Sequence, residues 1–184
     1  MTPAEPPTGP GVLNKAAILA HISEVGDGLA ARGLTGALVV VGGSYLALRD
    51  LRDATADVDS VTRLTSSLRA VVAEVAERHG MRPDWLNDNA VGFAPAGLRR
   101  ADCEVLFQHA HLTVLGPPPN QVFLMKLFAS RAPDHDDMVA LWPHCTFSDA
   151  EAAVADYQLA YPHEELDPHL VSYVQQVADL ASEG

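Results

Sequence analysis

The sequence predicts an α/β fold, with a small mixed β-sheet and flanking helices followed by a helical C-terminal half. Three observations predict it. Residues 36–41 form a short, valine-rich and uncharged run, which is typical of a strand buried on both faces. Residues 56–61 alternate in polarity, as a half-buried strand does. From residue 117 onward, apolar residues recur mainly at helical spacing.

The predicted elements of the first part follow in order. Residues 1–11 hold four prolines and two glycines among small residues, so we expect a flexible tail. An amphipathic helix follows over residues 12–32, and Gly33 ends it. After the 36–41 strand, Gly42-Gly43 forms a turn and Ser44 opens a helix to about residue 51. A further helix and three short strands are predicted over residues 66–79, 91–93, 103–107 and 111–115.

The C-terminal part is predicted to be helical throughout. Three successive prolines at 117–119 break the chain and pre-set the first turn of a helix that runs to about residue 130. Further helices are predicted over residues 134–141, 149–157 and 168–180, the second with Ser148 and Glu151 as its capping box. We therefore divide the chain into a tail (1–11), a core (12–116) and a helical half (117–184).

Composition narrows the possible partners. The 184 residues carry 12 Lys and Arg against 24 Asp and Glu, a formal charge of −12 that opposes loose, charge-driven binding along a nucleic acid. Any contact with a nucleic acid needs a local basic patch. No apolar run approaches the roughly 20 residues of a membrane helix. The first residues lack the basic and apolar segments of a secretory signal. We therefore expect a cytoplasmic protein with no membrane partner.

One constellation carries chemistry within 24 residues. A buried strand feeds the turn Gly42-Gly43, Ser44 starts a helix, and Asp57 and Asp59 follow on one face of the next strand. Glycines let the backbone approach a triphosphate, and a helix start offers N–H donors to it. Two carboxylates side by side are hard oxygen ligands that suit Mg²⁺.

Arg52, just before the two carboxylates, can bind phosphate or orient Asp57. Each feature alone is common, and an ordinary turn with solvated strand carboxylates is the simpler explanation of any one of them. Their order and spacing favour a site that binds phosphate and metal.

The sequence resembles the polymerase-beta-type nucleotidyltransferases, whose signature is a Gly-Ser turn followed by Asp-x-Asp. More narrowly it is similar to the branch that contains the AbiEii and MenT toxins and related small nucleotidyltransferases. The resemblance runs from about Leu34 to the closing helices. Four stretches carry it: GGSYLALRDLRDATADVDS (42–60), PDWLNDNAVGF (83–93), LMKLFASRAPDHDD (124–137) and YPHEELDP (161–168).

The resemblance implies a nucleotidyltransferase-type fold and further site residues. In that branch a helical Lys and a following Arg-x-x-Asp-x-x-Asp complete the site, and here they match Lys126, Arg131, Asp134 and Asp137. Lys126 and Arg131 then contact the nucleotide, and Asp137 is catalytic. Asp134 and Asp137 share a helix face, so the sequence does not decide between them. Lys126 can instead be a snorkelling residue on an apolar helix, and at least one of Asp134, Asp136 and Asp137 can be a solvated first-turn residue.

A third carboxylate is the one departure from the superfamily pattern. The superfamily carries it on a later strand, where Asp102 and Glu104 are the nearby candidates, and both can equally be surface residues. Glu104 and Asp134 are therefore the possible third carboxylates. If neither Asp102 nor Glu104 takes part, Lys126 and Asp137 must supply the missing functions.

The resulting prediction is a nucleotidyltransferase dependent on Mg²⁺ or Mn²⁺ that moves an NMP from an NTP to a hydroxyl and releases pyrophosphate. The resemblance implies a pyrimidine NTP, the 3′ end of tRNA as acceptor, and a toxin that is controlled by a cognate antitoxin protein. Two alternatives stay open. The acceptor can be a protein or a small molecule, or the chain can be a module that binds a nucleotide or a partner without turnover.

Overall fold

The computed structural model describes residues 11–129 and 134–183. The chain divides into two compact units. The first comprises residues 1–92 and 103–116, and the second comprises residues 93–102 and 117–184. The predicted tail at residues 1–11 falls almost wholly outside the described residues. The described part is an α/β structure with a mixed sheet and flanking helices, which confirms the predicted fold class.

The first unit is built on a five-stranded sheet in the order β5-β4-β2-β7-β6. Its strands are β2 (Gly36–Val41), β4 (Val58–Ser60), β5 (Leu86–Asn87), β6 (Glu104–Gln108) and β7 (Leu112–Gly116). Two further short strands, β1 (Leu13–Asn14) and β3 (Ala54–Thr55), pair with each other. Strand β2 is central. It runs antiparallel to β4 and parallel to β7, so the sheet is mixed as predicted.

Strand β2 is buried as its uncharged sequence predicts. Leu38 and Val40 are fully enclosed, and Val39 and Val41 are nearly so. A polar side chain in such a strand would need a hydrogen-bond partner inside the core. This explains why the run is apolar on both faces. Because β2 is the central strand and ends at Val41, the Gly42-Gly43 turn begins at the middle of the sheet edge.

Helices α1 (Lys15–Ala30), α2 (Gly42–Leu48) and α3 (Ser66–His79) complete the first unit. The Asn14 side chain caps α1 by accepting from the Ala17 N–H, and the Thr65 hydroxyl caps α3 by accepting from the Leu68 N–H. Gly80 ends α3 in the left-handed conformation that glycine adopts without strain. Apolar residues of α1 and α3, such as Ile22 and Val75, share one core.

The second unit is helical over its described residues. It contains α4 (Pro119–Ala129), α5 (Asp134–Leu141), α6 (Ala150–Ala160) and α7 (Leu170–Glu183). Helix α7 packs against both α5 and α6, and α4 packs against α5 and α6. Aromatic side chains join these helices, with Phe128 stacked on Tyr161 at 4.3 Å between ring centroids. None of the described helices is long and apolar enough to cross a membrane.

Three local predictions are wrong. Residues 91–93 are not a strand, because they belong to an exposed 3-10 helix (Asn89–Phe93) whose start is held by the Asn87 side chain. Helix α2 begins at Gly42 rather than at Ser44. The N-cap of α6 is Asp149, which accepts from the Ala152 N–H, so Ser148 is not the capping residue. The cap of α6 differs from the prediction by one residue, because Ser148 and Asp149 are neighbours and both can accept from a helix N–H.

Candidate metal and phosphate site

Asp57 lies immediately before β4, and Asp59 lies inside it. Both are half-buried, whereas Val58 between them and Ser60 after them are fully enclosed. This alternation is what a strand with one face on the core produces, so the two carboxylates project to the same face of β4. On the side of β4 that faces β5, the Val58 N–H donates to the Trp85 carbonyl at 2.6 Å.

The first glycine of the turn lies against Asp59. Val41 pairs with Asp59 across β2 and β4, so the next residue, Gly42, comes beside the carboxylate. A Cβ atom built on Gly42 would lie 3.2 Å from Asp59 Oδ2, and the φ of Gly42 is +64°. Both facts favour glycine, because any other residue would be strained and would press on the carboxylate. The turn and the acidic strand therefore form one cluster.

The second glycine lies against Thr55. A Cβ on Gly43 would lie 2.6 Å from Thr55 Oγ1 and 3.5 Å from Arg52 Nη1. The Arg52 side chain also donates from Nε to the Ala54 carbonyl at 2.9 Å, which holds the guanidinium beside the turn. Arg52 also lines a cleft of about 320 Å³ together with residues of α1 and of the end of α2, and this lining does not include Asp57 or Asp59.

Ser44 is enclosed rather than presented to solvent. Its side chain is 1% exposed, and its hydroxyl donates to the Val41 carbonyl at 2.9 Å. The bond joins the last residue of β2 to the first turn of α2, which is only seven residues long. In this arrangement Ser44 fixes the shape of the turn, and a phosphate contact through its hydroxyl requires the proton to rotate away from Val41.

Arg82 is a neighbour that the sequence analysis missed. Hydrogen bonding to Asp84 and the charge of Asp84 raise the pKa of the exposed Arg82 guanidinium, and the charge of Asp57 adds to the same shift. Arg82 donates to both carboxylate oxygens of Asp84, at 3.0 and 2.7 Å. Its position directly before the stretch 83–93 was the only signal for it, and parallel pairing of β4 with β5 brings that stretch to Asp57.

Lys126 forms a buried ionic triad in the second unit. Its ammonium donates to Asp134 Oδ1 at 2.9 Å and to Asp137 Oδ2 at 2.6 Å, and all three residues are at most 7% exposed. Both aspartates of the i, i+3 pair therefore face the same cation, whereas Asp136 is exposed. Lys126 is not a snorkelling side chain, because its charge stays inside. Arg131 lies outside the described residues.

Glu104 lies away from the two strand carboxylates. It begins β6, and β2 and β7 stand between β6 and β4 in the sheet. Three strand spacings correspond to about 14 Å between the backbones. The Glu104 carboxylate is exposed and forms an ion pair with Arg49, which follows α2. Asp102, in the second unit, is paired with Arg99 instead. The strand order therefore gives Glu104 no support as a third metal ligand.

The donor atoms at β4 fit a magnesium or manganese ion. Two half-buried carboxylates on one face offer only oxygen ligands, which hard divalent cations prefer. Gly42 leaves the space beside Asp59 Oδ2 free of side-chain atoms of its own. Arg82 interacts electrostatically with Asp57, and Arg52 lies beside Gly43. This arrangement suits a metal that also contacts phosphate oxygens.

Comparisons of the chain with protein-family models, with curated proteins and with solved structures gave no match. The assignment of a function therefore depends on the geometry just described and on the resemblance carried by the sequence motifs.

Proposed function

We propose that the protein is a metal-dependent nucleotidyltransferase that transfers an NMP from an NTP to a hydroxyl group, on a nucleotidyltransferase-type fold. One observation carries the proposal: the glycine turn lies against the acidic strand β4, with Gly42 in a left-handed conformation against Asp59 Oδ2. The register between β2 and β4 places the glycine turn beside a carboxylate, which is the arrangement that a metal-bound triphosphate needs. Asp57 and Asp59 hold the metal, and Gly42 and Gly43 receive the triphosphate.

The reaction exchanges one phosphorus–oxygen bond for another. The acceptor hydroxyl oxygen attacks the α-phosphorus, the bond from that phosphorus to the α,β-bridging oxygen breaks, and pyrophosphate leaves. When bound, Mg²⁺ or Mn²⁺ neutralises the triphosphate and lowers the pKa of the acceptor hydroxyl. The pairing of β4 with β2 on one side and with β5 on the other holds the carboxylates of this segment in fixed positions. The resemblance implies a carboxylate from Asp134 or Asp137 as a third metal ligand or as the base that takes up the hydroxyl proton, and we propose Asp137 as this base.

Positive side chains have two different roles in this proposal. Arg52, beside Gly43, and Arg82, near Asp57, are exposed guanidinium groups. In this proposal they contact phosphate oxygens of the NTP. Lys126 is already neutralised by two carboxylates. Its contact with the nucleotide therefore requires one of its two ion pairs to be exchanged for a phosphate oxygen. Otherwise Lys126 positions Asp134 and Asp137.

The acceptor and the biological setting come from the resemblance. It favours the 3′ end of tRNA, a pyrimidine NTP and a role as the toxin of a toxin–antitoxin pair. The formal charge of −12 requires tRNA to be held by a few arginines rather than by a general positive surface. Binding to tRNA should therefore weaken with salt, with a shallow slope that reflects few phosphate contacts.

The test is a transfer assay with purified protein, Mg²⁺ and each of the four α-labelled NTPs in turn. Total tRNA, a mixture of proteins and no acceptor are compared. Transfer of label to tRNA, with CTP or UTP preferred, is the expected result. Label on protein instead would keep the chemistry and change the acceptor. Absence of pyrophosphate release with every NTP, despite NTP binding in calorimetry, would reduce the protein to a binding module.

The site assignment has its own matched control. Asp57→Asn and Asp59→Asn should each lower the transfer rate by at least about 100-fold, as expected for loss of a metal ligand. Asp53→Asn changes an exposed carboxylate in the same segment and should leave the rate within about twofold. Equal rates for Asp57→Asn and Asp53→Asn would refute the assignment of the metal to β4.

A further inference from the structure

Three side chains of the types that can ligate a metal ion lie together between α1 and α3, in the first unit. His21 and Glu24 lie one turn apart on α1, and His79 is the last residue of α3. One ligand atom from each lies within 4.8 Å of the others. His79 Nε2 is 2.7 Å from Glu24 Oε1, His21 Nδ1 is 4.0 Å from the same oxygen, and the two imidazole centroids are 4.5 Å apart.

His21 has a buried nitrogen that points into this cluster. Its Nδ1 is enclosed and has no hydrogen-bond partner among the described residues. A buried polar nitrogen without a partner is destabilising, so its presence here calls for a ligand. Coordination of a cation would satisfy the lone pair. The edge of the Trp85 ring, whose centroid is 5.7 Å from that of His21, helps to enclose the imidazole.

The charges around the cluster are compatible with a cation. Burial lowers the pKa of His21, His79 lowers it further and Glu24 opposes the shift. Burial alone would raise the pKa of Glu24, but hydrogen bonds from His79 and Arg78 outweigh it and the net shift is downward. Arg78 occupies Glu24 Oε2 at 3.0 Å and leaves Oε1 toward the histidines.

We infer that His21 Nδ1, Glu24 Oε1 and His79 Nε2 form a second metal site, for zinc or a similar transition-metal ion, that joins α1 to α3. Two imidazoles and one carboxylate are the ligand set of open zinc sites, in which water takes the fourth position. Imidazole nitrogen selects zinc, cobalt, nickel or copper over magnesium. The site is therefore chemically different from the oxygen site at β4, and it does not depend on the proposed function.

Only small movements are needed to admit the ion. Ligand bonds of about 2.0–2.1 Å in a tetrahedral site place the ligand atoms about 3.3 Å apart. The His79–Glu24 pair must open from 2.7 Å, and the His21–Glu24 pair must close from 4.0 Å. His79 is partly exposed and ends its helix, so its rotation costs little. Arg78 then fixes the orientation of the Glu24 carboxylate, as outer-shell partners of metal ligands do.

The test uses Co²⁺ as a coloured probe of the full chain without a polyhistidine tag. A visible absorption band of a four- or five-coordinate ion, saturating at one equivalent, is expected, and Zn²⁺ should bleach it. His79→Gln, at a partly exposed position, should weaken Co²⁺ binding at least about 100-fold. Glu24→Gln should act in the same direction. His163→Gln, which changes an exposed histidine of the second unit, should leave the band unchanged.

Two further measurements separate this site from the site at β4 and from misfolding. The double variant Asp57→Asn/Asp59→Asn should retain the band, and loss of the band there would overturn the inference. Zn²⁺ should raise the Tm of the wild type but not that of His79→Gln, whose circular dichroism without metal should match the wild type. An absent band in the wild type, or an equal band in His79→Gln, would also overturn it.

Discussion

Gly42 lies so close to Asp59 that a Cβ atom on the glycine would be 3.2 Å from the carboxylate Oδ2. The contact follows from strand register. Val41 is the pairing partner of Asp59, and the chain turns immediately afterwards with a φ of +64° at Gly42. The turn that is proposed to receive phosphate and the carboxylate that is proposed to hold metal are therefore positioned by the same pair of strands.

Gly42→Ala should lower both the free energy of unfolding and the transfer rate, and the loss of rate should exceed the loss that backbone strain alone causes. Alanine at a left-handed position costs about 1–2 kcal/mol of folding free energy. Its methyl group would also press on Asp59 Oδ2, which must move by a few tenths of an ångström. Because a misplacement of about 1 Å can cost about 100-fold in rate, we expect a loss of about 10-fold. The measurements are the free energy of unfolding in urea and the rate of NMP transfer.

Gly33→Ala is the matched control for this prediction. Gly33 has a φ of +63°, and an added Cβ there meets no atom within 4 Å. The backbone penalty should therefore be the same, while the transfer rate should stay near that of the wild type. Similar rate losses in both variants would show that the effect of Gly42→Ala comes from strain alone and not from Asp59.

Lys126→Met should destabilise the protein by about 3–5 kcal/mol, because it leaves Asp134 and Asp137 buried without their cation. The other lysine of the chain provides the comparison. Lys15 is paired with Asp50, and both side chains are largely exposed, so Lys15→Met should cost less than about 1 kcal/mol. Equal losses of unfolding free energy in the two variants would contradict the burial of the triad.

A triple variant separates the structural role of this triad from its chemical role. Lys126→Met/Asp134→Leu/Asp137→Leu replaces the whole triad by apolar side chains, which is often neutral for stability or stabilising. We expect it to recover much of the free energy of unfolding lost in Lys126→Met. If the resemblance assigns Lys126 and Asp137 correctly, the transfer rate should stay at least about 100-fold below that of the wild type. Recovery of the rate would make the triad purely structural.

Asp88 should make stability depend on pH in the acid range. The hydrogen bond from the Leu64 N–H, followed by that from Arg69, lowers the pKa of the Asp88 carboxyl below its ordinary value of 3.8. The folded state thus binds this proton less readily than the unfolded state. The stabilisation is complete above the unfolded-state pKa and is lost as the pH falls through the folded-state pKa.

Asp88→Asn should therefore lower the free energy of unfolding by about 1 kcal/mol at pH 7, and by less as the pH falls below about 4. Urea unfolding of the wild type and the variant between pH 3 and pH 7 measures the difference. Asp156→Asn is the control, since it changes an exposed carboxylate of α6. A constant difference across this pH range would be inconsistent with a role for the Asp88 charge.

Local sequence information predicted the longer elements and the arrangement within β4. The limits of β2, α3 and α5 agree with the predicted residues 36–41, 66–79 and 134–141. These segments combine a clear apolar pattern with a start or stop residue that acts locally. The same-face placement of Asp57 and Asp59 also follows from two-residue periodicity alone. Residues 91–93 were mispredicted because three residues, of which the middle one is Gly92, carry no period that distinguishes a strand from a 3-10 helix.

The sequence by itself determined the α/β class, the glycine turn and the two aspartates, because each depends on neighbours within a few residues. Tertiary structure decided which distant groups meet. The pairing of β2 with β4 brought Gly42 to Asp59. The position of β6 at the other edge of the sheet left Glu104 in an ion pair with Arg49. The packing of α1 against α3 brought His21 to His79. Such contacts depend on how separate elements pair and pack, and a pattern along one strand or helix does not specify its partner in space.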